Sequence, residues 1–220
     1  MPEGPEIRRA ADKIAKVLEG KTVNSIEFAF PHLKPFESDL QSREVTALET
    51  RGKALLIHFD NGLSIYSHNQ LYGRWYIVKH GTLPKTNRSL RLALHTATHS
   101  ALLYSASEID VLDADGIAQH PFLTKIGPDI LSPVLTWQEI ASRLSSPKFI
   151  KRSVGILYLD QAFLAGVGNY LRSEILFDAN INPRARPCEN QNAHGRRQTL
   201  KRDRAIARHR LFEIVVIVAL

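Results

Sequence analysis

The sequence predicts an α+β fold, in which an N-terminal antiparallel β-sandwich with one packed helix precedes a helical domain. Three observations predict it. Apolar residues recur at helical spacing over residues 5–18, short β-branched and aromatic segments follow one another from residue 22 to residue 106, and helix signals return after residue 133. The 220 residues, 44% of them hydrophobic, are enough for one large domain or two small ones.

The first element is an amphipathic helix over residues 5–18. Gly20 lies where a C-terminal cap is expected, and Glu3 and Glu6 lie at the start, where the helix dipole favours negative charge. The apolar stripe consists of Ile7, Ala10, Ala11, Ile14, Val17 and Leu18. We therefore expect this helix to pack with one face on the sheets.

Seven short segments then predict strands. Asn61-Gly62, between two of them, is a hairpin turn signal. Short strands at this spacing are typical of an antiparallel sandwich or barrel, and we predict the sandwich. The segments are Val23–Phe30, Val45–Glu49, Ala54–Phe59, Leu63–Ser67, Trp75–Val78, Leu90–Leu94 and Ala101–Ser105.

Two prolines and a glycine in IGPDILSP predict a linker at residues 126–133. The sandwich domain would then span residues 1–125 and a helical domain residues 134–189. Thr136 with Glu139 three residues later fits a capping box at the start of that second domain.

Two further helices, Asp160–Gly166 and Asn169–Ala179, are predicted on either side of a tight turn at Gly166-Val167-Gly168. Residues 190–220 form an atypical tail, with a basic stretch followed by LFEIVVIVAL. A last helix or strand packed on the core is the plainest interpretation of this tail.

Composition excludes several classes of protein. The first twenty residues lack the apolar segment of a secretory signal, and the aliphatic run at residues 214–220 is far shorter than the roughly 20 residues of a membrane span. A single cysteine, Cys188, excludes an internal disulfide and a four-cysteine zinc site. We therefore expect a soluble protein of a reducing cytoplasm, with no membrane partner.

The net charge of +7 is concentrated in the tail. Residues 184–220 hold nine Lys and Arg residues against three acids, whereas residues 1–183 hold twenty against nineteen. Charge alone argues only for non-specific binding, so a prediction of nucleic-acid binding must rest on individually placed residues.

Pro2 offers a nucleophile if Met1 is removed, as an initiator methionine normally is before proline. The exposed secondary amine would have a pKa of roughly 7.7–8, against about 10.4 for a lysine, so a useful fraction of it is neutral near pH 7. Attack on C1′ of an opened sugar gives an iminium ion, which permits elimination of the 3′ phosphate. Glu3 can donate or accept the proton that this sequence requires. The alternative is that Pro2 only opens a helix at its first turn.

Four motifs occur together and in order: MPEGPEIRRAAD at the N-terminus, RGKALL at 51–56, YSHNQLYG at 66–73 and LDQAFLAGVGNYLRSEILF at 159–177. With them the chain resembles the formamidopyrimidine-DNA glycosylase and endonuclease VIII family over residues 1–187, and HNQLYG resembles its endonuclease VIII branch. The resemblance implies a monomeric base-excision-repair DNA glycosylase and abasic-site lyase. It would act on oxidised pyrimidines in damaged double-stranded DNA by β,δ-elimination, without a redox or nucleotide cofactor.

The resemblance also implies roles for residues at matching positions. Pro2 would be the Schiff-base nucleophile and Glu3 the general acid for base release. Lys53 would assist elimination and hold the phosphate beside the lesion; the alternative is an ordinary solvated strand lysine.

Further positions would bind DNA. Gln70, Leu71 and Tyr72 would fill the hole left by a flipped base and bond its orphaned partner, unless they form only an ordinary hairpin loop. Asn169, at the start of the second helix of a helix–two-turn–helix motif, would bond phosphate or merely cap the helix. Lys125 matches a position where the family usually has an arginine that contacts phosphate, although lysine lacks the bidentate fork.

The chain departs from the family after about Glu189, because the four-cysteine zinc ribbon that ends the family has no ligands here. We expect a truncated or frame-shifted product, in which lyase activity on abasic DNA survives better than excision of a damaged base. The alternatives are a non-catalytic remnant that binds damaged or abasic DNA, and a general basic nucleic-acid-binding domain, against which the near-neutral residues 1–183 argue.

Overall fold

Residues 2–191 are described by the structure, a computed structural model, and they form two compact units. The first unit contains Pro2 and Glu6–Thr124, and the second contains Glu3–Pro5 together with the chain from Lys125 onward. The predicted tail at residues 190–220 lies outside the described residues except for its first two positions.

The first unit is a sandwich of two four-stranded antiparallel sheets. One sheet has the strand order β1-β6-β7-β5 and the other β2-β3-β4-β8, so the prediction of a sandwich rather than a barrel is confirmed. The strands are β1 (Ser25–Phe28), β2 (Val45–Arg51), β3 (Ala54–Phe59), β4 (Ser64–His68), β5 (Arg74–Lys79), β6 (Leu90–His95), β7 (His99–Tyr104) and β8 (Glu108–Leu112).

Helix α1 (Gly4–Leu18) supplies one side of the apolar core of this unit. Its buried residues Ile7, Ala11, Ile14 and Leu18 belong to the predicted stripe, and they share one cluster with the inward residues of both sheets. The helix ends before Gly20, whose φ of +68° is the left-handed conformation expected of a glycine cap.

Several elements of the first unit were not predicted. Strand β8 pairs with β4, and its EIDVL sequence does alternate polar and apolar residues as a half-buried strand should. Short helices α2 (Phe36–Leu40) and α3 (Ala114–Gln119) and a 3₁₀ turn at Pro31–Leu33 were also missed. For α3 a local signal exists, because Asp113 caps it by accepting the Gly116 N–H at 2.7 Å.

The second unit is helical and has its own apolar core. It contains α4 (Trp137–Ser145), α5 (Val154–Leu157), α6 (Asn169–Asp178) and a 3₁₀ turn at Pro187–Gln191. Thr136 is the N-cap of α4 and accepts the Glu139 N–H at 3.3 Å, as predicted. Within residues 2–191, no helix is both long and apolar enough to cross a membrane.

Residues 126–133, predicted as a linker, are part of the second unit. The Gly127 N–H donates to the Gln161 carbonyl at 2.8 Å, and the Ile130 N–H donates to the Ala165 carbonyl at 3.0 Å. Ile130 is buried in the core of this unit. The prolines and glycine of the segment therefore shape a packed strand-like stretch instead of a free connection.

The predicted helix at Asp160–Gly166 is wrong, because these residues form turns. Asp160 Oδ1 accepts the Ala162 N–H at 2.9 Å, and the Ala165 N–H leaves the local chain to bond the Pro128 carbonyl at 2.9 Å. The helix–two-turn–helix motif thus consists of α5, the turns after it and α6, whose predicted span of Asn169–Ala179 is confirmed within one residue.

Candidate active site

The carboxylate of Glu3 sits on the N-terminus of α6. It accepts hydrogen bonds from the N–H groups of Gly168 (3.0 Å), Tyr170 (2.8 Å) and Leu171 (3.1 Å). One side chain thus pairs three N–H groups that have no partner within the helix. Glu3 is 5% exposed. Glu3, the residue after Pro2, is therefore held in one position by backbone N–H groups, which are themselves fixed by the helix.

Glycines make room for this contact. A Cβ at Gly168 would lie 2.4 Å from both Cδ and Oε1 of Glu3, which no real structure tolerates. The Gly4 N–H donates to the Gly166 carbonyl at 2.8 Å, and Gly166 has a φ of +93°. The glycines of the GVG turn therefore admit the N-terminal segment.

Asn169 does not cap α6, so that alternative is wrong. Gly168 holds the N-cap position, and Glu3 satisfies the helix N–H groups instead. Asn169 is the first residue of the helix and its side chain is exposed. Its contact with DNA phosphate stays a prediction.

Gln161 braces the turn that precedes α6, and sequence reasoning missed it. Its Oε1 accepts the Gly166 N–H at 3.0 Å, and its Nε2 donates to the Val167 carbonyl at 2.8 Å. Gln161 stands inside the quoted motif at residues 159–177, so a signal for it was present. The side chain fixes the two residues whose backbone leads into the Glu3 contact.

Lys53 occupies a tight hairpin turn in the first unit. Arg51 and Ala54 pair directly, so Gly52 and Lys53 form a two-residue turn, and Gly52 has the positive φ (+62°) of a type II′ turn. Lys53 is 5% exposed, so the alternative of a solvated strand lysine is wrong. A lysine this buried is rare, because lysine side chains are almost always solvent-exposed unless they are paired.

Lys53 has an electrostatic effect on a neighbouring histidine. Burial lowers the pKa of His68, the Lys53 charge lowers it further, and the Glu108 carboxylate offsets part of this effect. The His68 Nδ1 lies 3.4 Å from Glu108 Oε2. His68 belongs to the motif at residues 66–73, but sequence reasoning gave it no role.

The predicted wedge residues lie on a five-residue loop between β4 and β5. These strands belong to different sheets, so the alternative of an ordinary hairpin loop is wrong. The Gly73 N–H closes the loop on the Asn69 carbonyl at 2.7 Å, and Gln70 has a φ of +46°. Leu71 and Tyr72 are 62% and 67% exposed, an unusual state for large apolar side chains.

Gln70 is held by two residues that sequence reasoning missed. Its Nε2 donates to Glu108 Oε2 at 2.8 Å, and its Oε1 accepts the Ser107 hydroxyl at 2.7 Å. The other Glu108 oxygen accepts the hydroxyl of buried Tyr66 at 3.1 Å. The local sequence could not predict these partners, because they lie more than thirty residues along the chain from Gln70.

The remaining predicted residues are accessible. Pro2 is half-buried, and Lys125 is exposed at the first position of the main segment of the second unit. Among residues 2–191, no group of three or more His, Cys, Asp or Glu side chains is placed to hold a metal ion. The sequence has a single cysteine, so the residues present do not fit a four-cysteine zinc site.

Comparison with known proteins places the chain in a family. Residues 1–107 match the formamidopyrimidine-DNA glycosylase N-terminal domain. Endonuclease 8 of Salmonella schwarzengrund is 55% identical over 181 residues, which cover 82% of this chain and 69% of that protein. Endonuclease 8 of Klebsiella pneumoniae is 52% identical over 189 residues, or 86% of this chain and 72% of that protein. The chain belongs to the formamidopyrimidine-DNA glycosylase and endonuclease VIII family.

Solved structures of this family share the fold. A Lactococcus lactis Fpg in complex with DNA containing an abasic site superposes with a TM-score of 0.79 at 18% identity, covering 99% of this chain and 78% of that one. A C248GH LlFpg mutant with THF-containing DNA gives a TM-score of 0.79 at 19% identity, covering 99% and 78%. At this identity the comparison confirms the fold alone, and the sequence relatives place the chain in the endonuclease VIII branch.

Proposed function

We propose that this family member excises oxidised pyrimidines from double-stranded DNA through a Schiff base on Pro2. The protein is a base-excision-repair DNA glycosylase and abasic-site lyase, as its endonuclease 8 relatives indicate. Damaged DNA is its partner, and the protein is proposed to act as a monomer. Since chromosomal DNA is the substrate, the bacterial cytosol is the proposed compartment.

The reaction balances without an external oxidant or reductant. The Pro2 nitrogen forms a bond to C1′ and loses its N–H proton, while the bond from C1′ to the base breaks and the base leaves with a proton. Ring opening, with a proton delivered to O4′, gives the iminium ion. Loss of a C2′ proton then expels the 3′ phosphate, and loss of a C4′ proton in a second elimination expels the 5′ phosphate. Water finally hydrolyses the remaining iminium, which releases the sugar remnant and regenerates the Pro2 amine.

The position of Glu3 carries this proposal. Glu3, which follows the proposed nucleophile in the chain, is buried and fixed by three backbone N–H groups. The N-terminal segment is therefore held in place. A carboxyl group fixed beside the amine suits proton transfer to and from the sugar. Lys53, buried at its hairpin turn, is proposed to stabilise the phosphate that leaves.

Borohydride trapping tests the proposal. Reduction of the iminium on an abasic duplex should yield a covalent adduct, and peptide mapping should place it on the N-terminal peptide, with Met1 absent by intact mass. The Pro2→Gly variant should trap at least roughly tenfold less, because its primary amine forms a neutral imine that must first gain a proton. Lys13→Gln, which removes an exposed α1 lysine, is the matched control and should trap normally.

Two outcomes would count against the mechanism. An adduct that maps to a lysine would move the nucleophile away from Pro2. Retained binding of abasic DNA without any adduct would leave the non-catalytic remnant as the better description.

A further inference from the structure

Gln70 has a strained backbone and a fully engaged side chain, although it lies on an exposed loop. A positive φ at a non-glycine residue persists only where its surroundings hold it. Those surroundings are the hydroxyl of Ser107, on the amide oxygen at 2.7 Å, and the carboxylate of Glu108, on the amide nitrogen at 2.8 Å. Both ends of one amide are thus fixed by two consecutive residues.

Glu108 is itself anchored. It is the first residue of β8 and pairs with His68, the last residue of β4, at the edge of the sheet from which the loop departs. Its Oε1 accepts the Tyr66 hydroxyl, and the Tyr66 side chain is fully buried. The Glu108 carboxylate therefore connects the rigid sheet to the loop of residues 69–73, which begins directly after β4.

The loop needs such support because it presents Leu71 and Tyr72 to solvent. Two large apolar side chains in water would collapse onto the nearest apolar surface if the loop could move. A loop that is fixed before DNA arrives binds without the entropic cost of ordering at that moment.

We propose that Glu108 and Ser107 are positioning residues that hold the loop of residues 69–73 in the conformation that enters the duplex. This inference rests on the proposed function, since it concerns the step in which the damaged base leaves the stack. The pair acts through Gln70, and neither residue touches the reacting atoms.

The negative charge of Glu108 predicts the opposite effect on DNA binding from its hydrogen bond, and this difference makes the proposal testable. Removing a carboxylate near a DNA-binding loop should, by electrostatics alone, strengthen binding to the polyanion. A loss of activity in Glu108→Ala therefore reports lost hydrogen bonds, to Gln70 and to Tyr66, and not the lost charge. Glu108→Gln keeps an acceptor for the Gln70 amide and should rescue most of the loss.

The experiment compares two substrates. Excision of an oxidised pyrimidine from a duplex requires the base to leave the stack, whereas borohydride trapping on a single-stranded abasic oligonucleotide does not. We expect Glu108→Ala to lower duplex excision roughly tenfold and Ser107→Ala roughly threefold, since a charge-assisted hydrogen bond contributes more than a neutral one. Trapping on the single strand should stay unchanged in both variants.

A double-mutant cycle tests whether Glu108 affects excision through its contact with Gln70. If Glu108 acts through Gln70, adding Glu108→Ala to Gln70→Ala should lower duplex excision by less than about twofold further. Glu44→Ala, which removes an exposed carboxylate elsewhere in the unit, is the charge control and should match the wild type. Because Glu108→Ala also frees the Tyr66 hydroxyl, Ser107→Ala provides the variant that leaves the buried contact intact.

Several results would overturn the inference: full duplex activity in Glu108→Ala, losses that simply add to those of Gln70→Ala, or an equal loss on the single strand. A wild-type protein that fails to trap on any abasic substrate would refute the proposed function instead. The two failures are therefore distinguishable.

Discussion

The contact between Glu3 and α6 depends on the absence of a side chain at residue 168. The Gly168 backbone is extended and imposes no strain that only glycine could bear, so the requirement is one of space alone. The nearest atoms belong to the carboxylate itself, which is held by three backbone bonds. Even one methyl group therefore competes directly with the functional side chain.

We expect Gly168→Ala to displace Glu3 and to lower base excision by more than roughly tenfold, because the proton-transfer group loses its position. Unpairing the helix N–H groups should also cost about 1–3 kcal/mol of stability. Excision kinetics and denaturant unfolding measure the two effects. Gly81→Ala, whose added methyl would meet open space but whose φ is +76°, should lower stability modestly and leave excision intact. Normal excision by Gly168→Ala would contradict this assignment.

At this scale the sequence predicted residue identities better than contacts. Pro2, Glu3 and Lys53 were chosen from chemistry and resemblance; the structure buries Glu3 and Lys53, and their catalytic roles stay predictions. The partners of Glu3 lie 165 to 168 positions along the chain, beyond the reach of any local pattern. Asn169 was the natural local candidate for the cap, and a distant carboxylate displaced it from that role.

The turn after α5 shows how one side chain decides between helix and turn. A helix was predicted at residues 160–166, but Asp160 bonds the Ala162 N–H and forms an ion pair with Arg152. Burial raises the pKa of Asp160, but the hydrogen bonds from Arg152 and Ala162 outweigh it, so the pKa of this carboxyl lies below its ordinary value. The segment therefore prefers its ionised, turn-forming state.

The pH dependence of Asp160→Asn tests this balance. A carboxyl with a lowered folded-state pKa stabilises the protein above its ordinary pKa of 3.8, and that contribution disappears as the pH falls through the lowered value. We expect the variant to be about 0.5–1 kcal/mol less stable at pH 7, since the ion pair is partly exposed. The difference should shrink below pH 4. Denaturant unfolding across that range measures it.

Asp160→Ala supplies the comparison for the turn itself. It removes the bond to the Ala162 N–H as well as the charge, so part of its effect should persist at acid pH. An Asp160→Asn difference that stayed constant with pH would show that the ion pair with Arg152 contributes nothing.

Elements with strong local signals were the ones that the sequence predicted. The α1 stripe, seven strands and the α4 cap at Thr136 follow from periodicity and capping chemistry. The Asn61-Gly62 signal predicted the hairpin of β3 and β4, but the long-range pairings of β1 with β6 and of β4 with β8 were beyond reach. The segment at residues 126–133 carried linker residues yet packs through backbone bonds to residues that the local sequence does not reveal.

For the molecule as a whole, the charge distribution predicts how it should bind DNA. Residues 1–183 are almost neutral, so within them a few placed cations and not a broad basic field would supply the phosphate contacts. Lys125 is exposed and matches a family arginine that contacts phosphate, which makes it the cation to test. A single phosphate contact changes affinity for every sequence alike.

We expect Lys125→Ala to weaken binding to damaged and undamaged duplexes by the same factor and to reduce the slope of log affinity against log salt by about one. Fluorescence anisotropy over a range of salt concentrations measures both. Lys125→Arg should keep the slope and bind more tightly, because the guanidinium can engage phosphate with two donors. Lys13→Ala removes the same charge from an exposed site on α1 and should leave the slope unchanged. If Lys125→Ala and Lys13→Ala gave the same slope, Lys125 would contribute only to the general charge of the molecule, and the phosphate contacts would have to come from other cations.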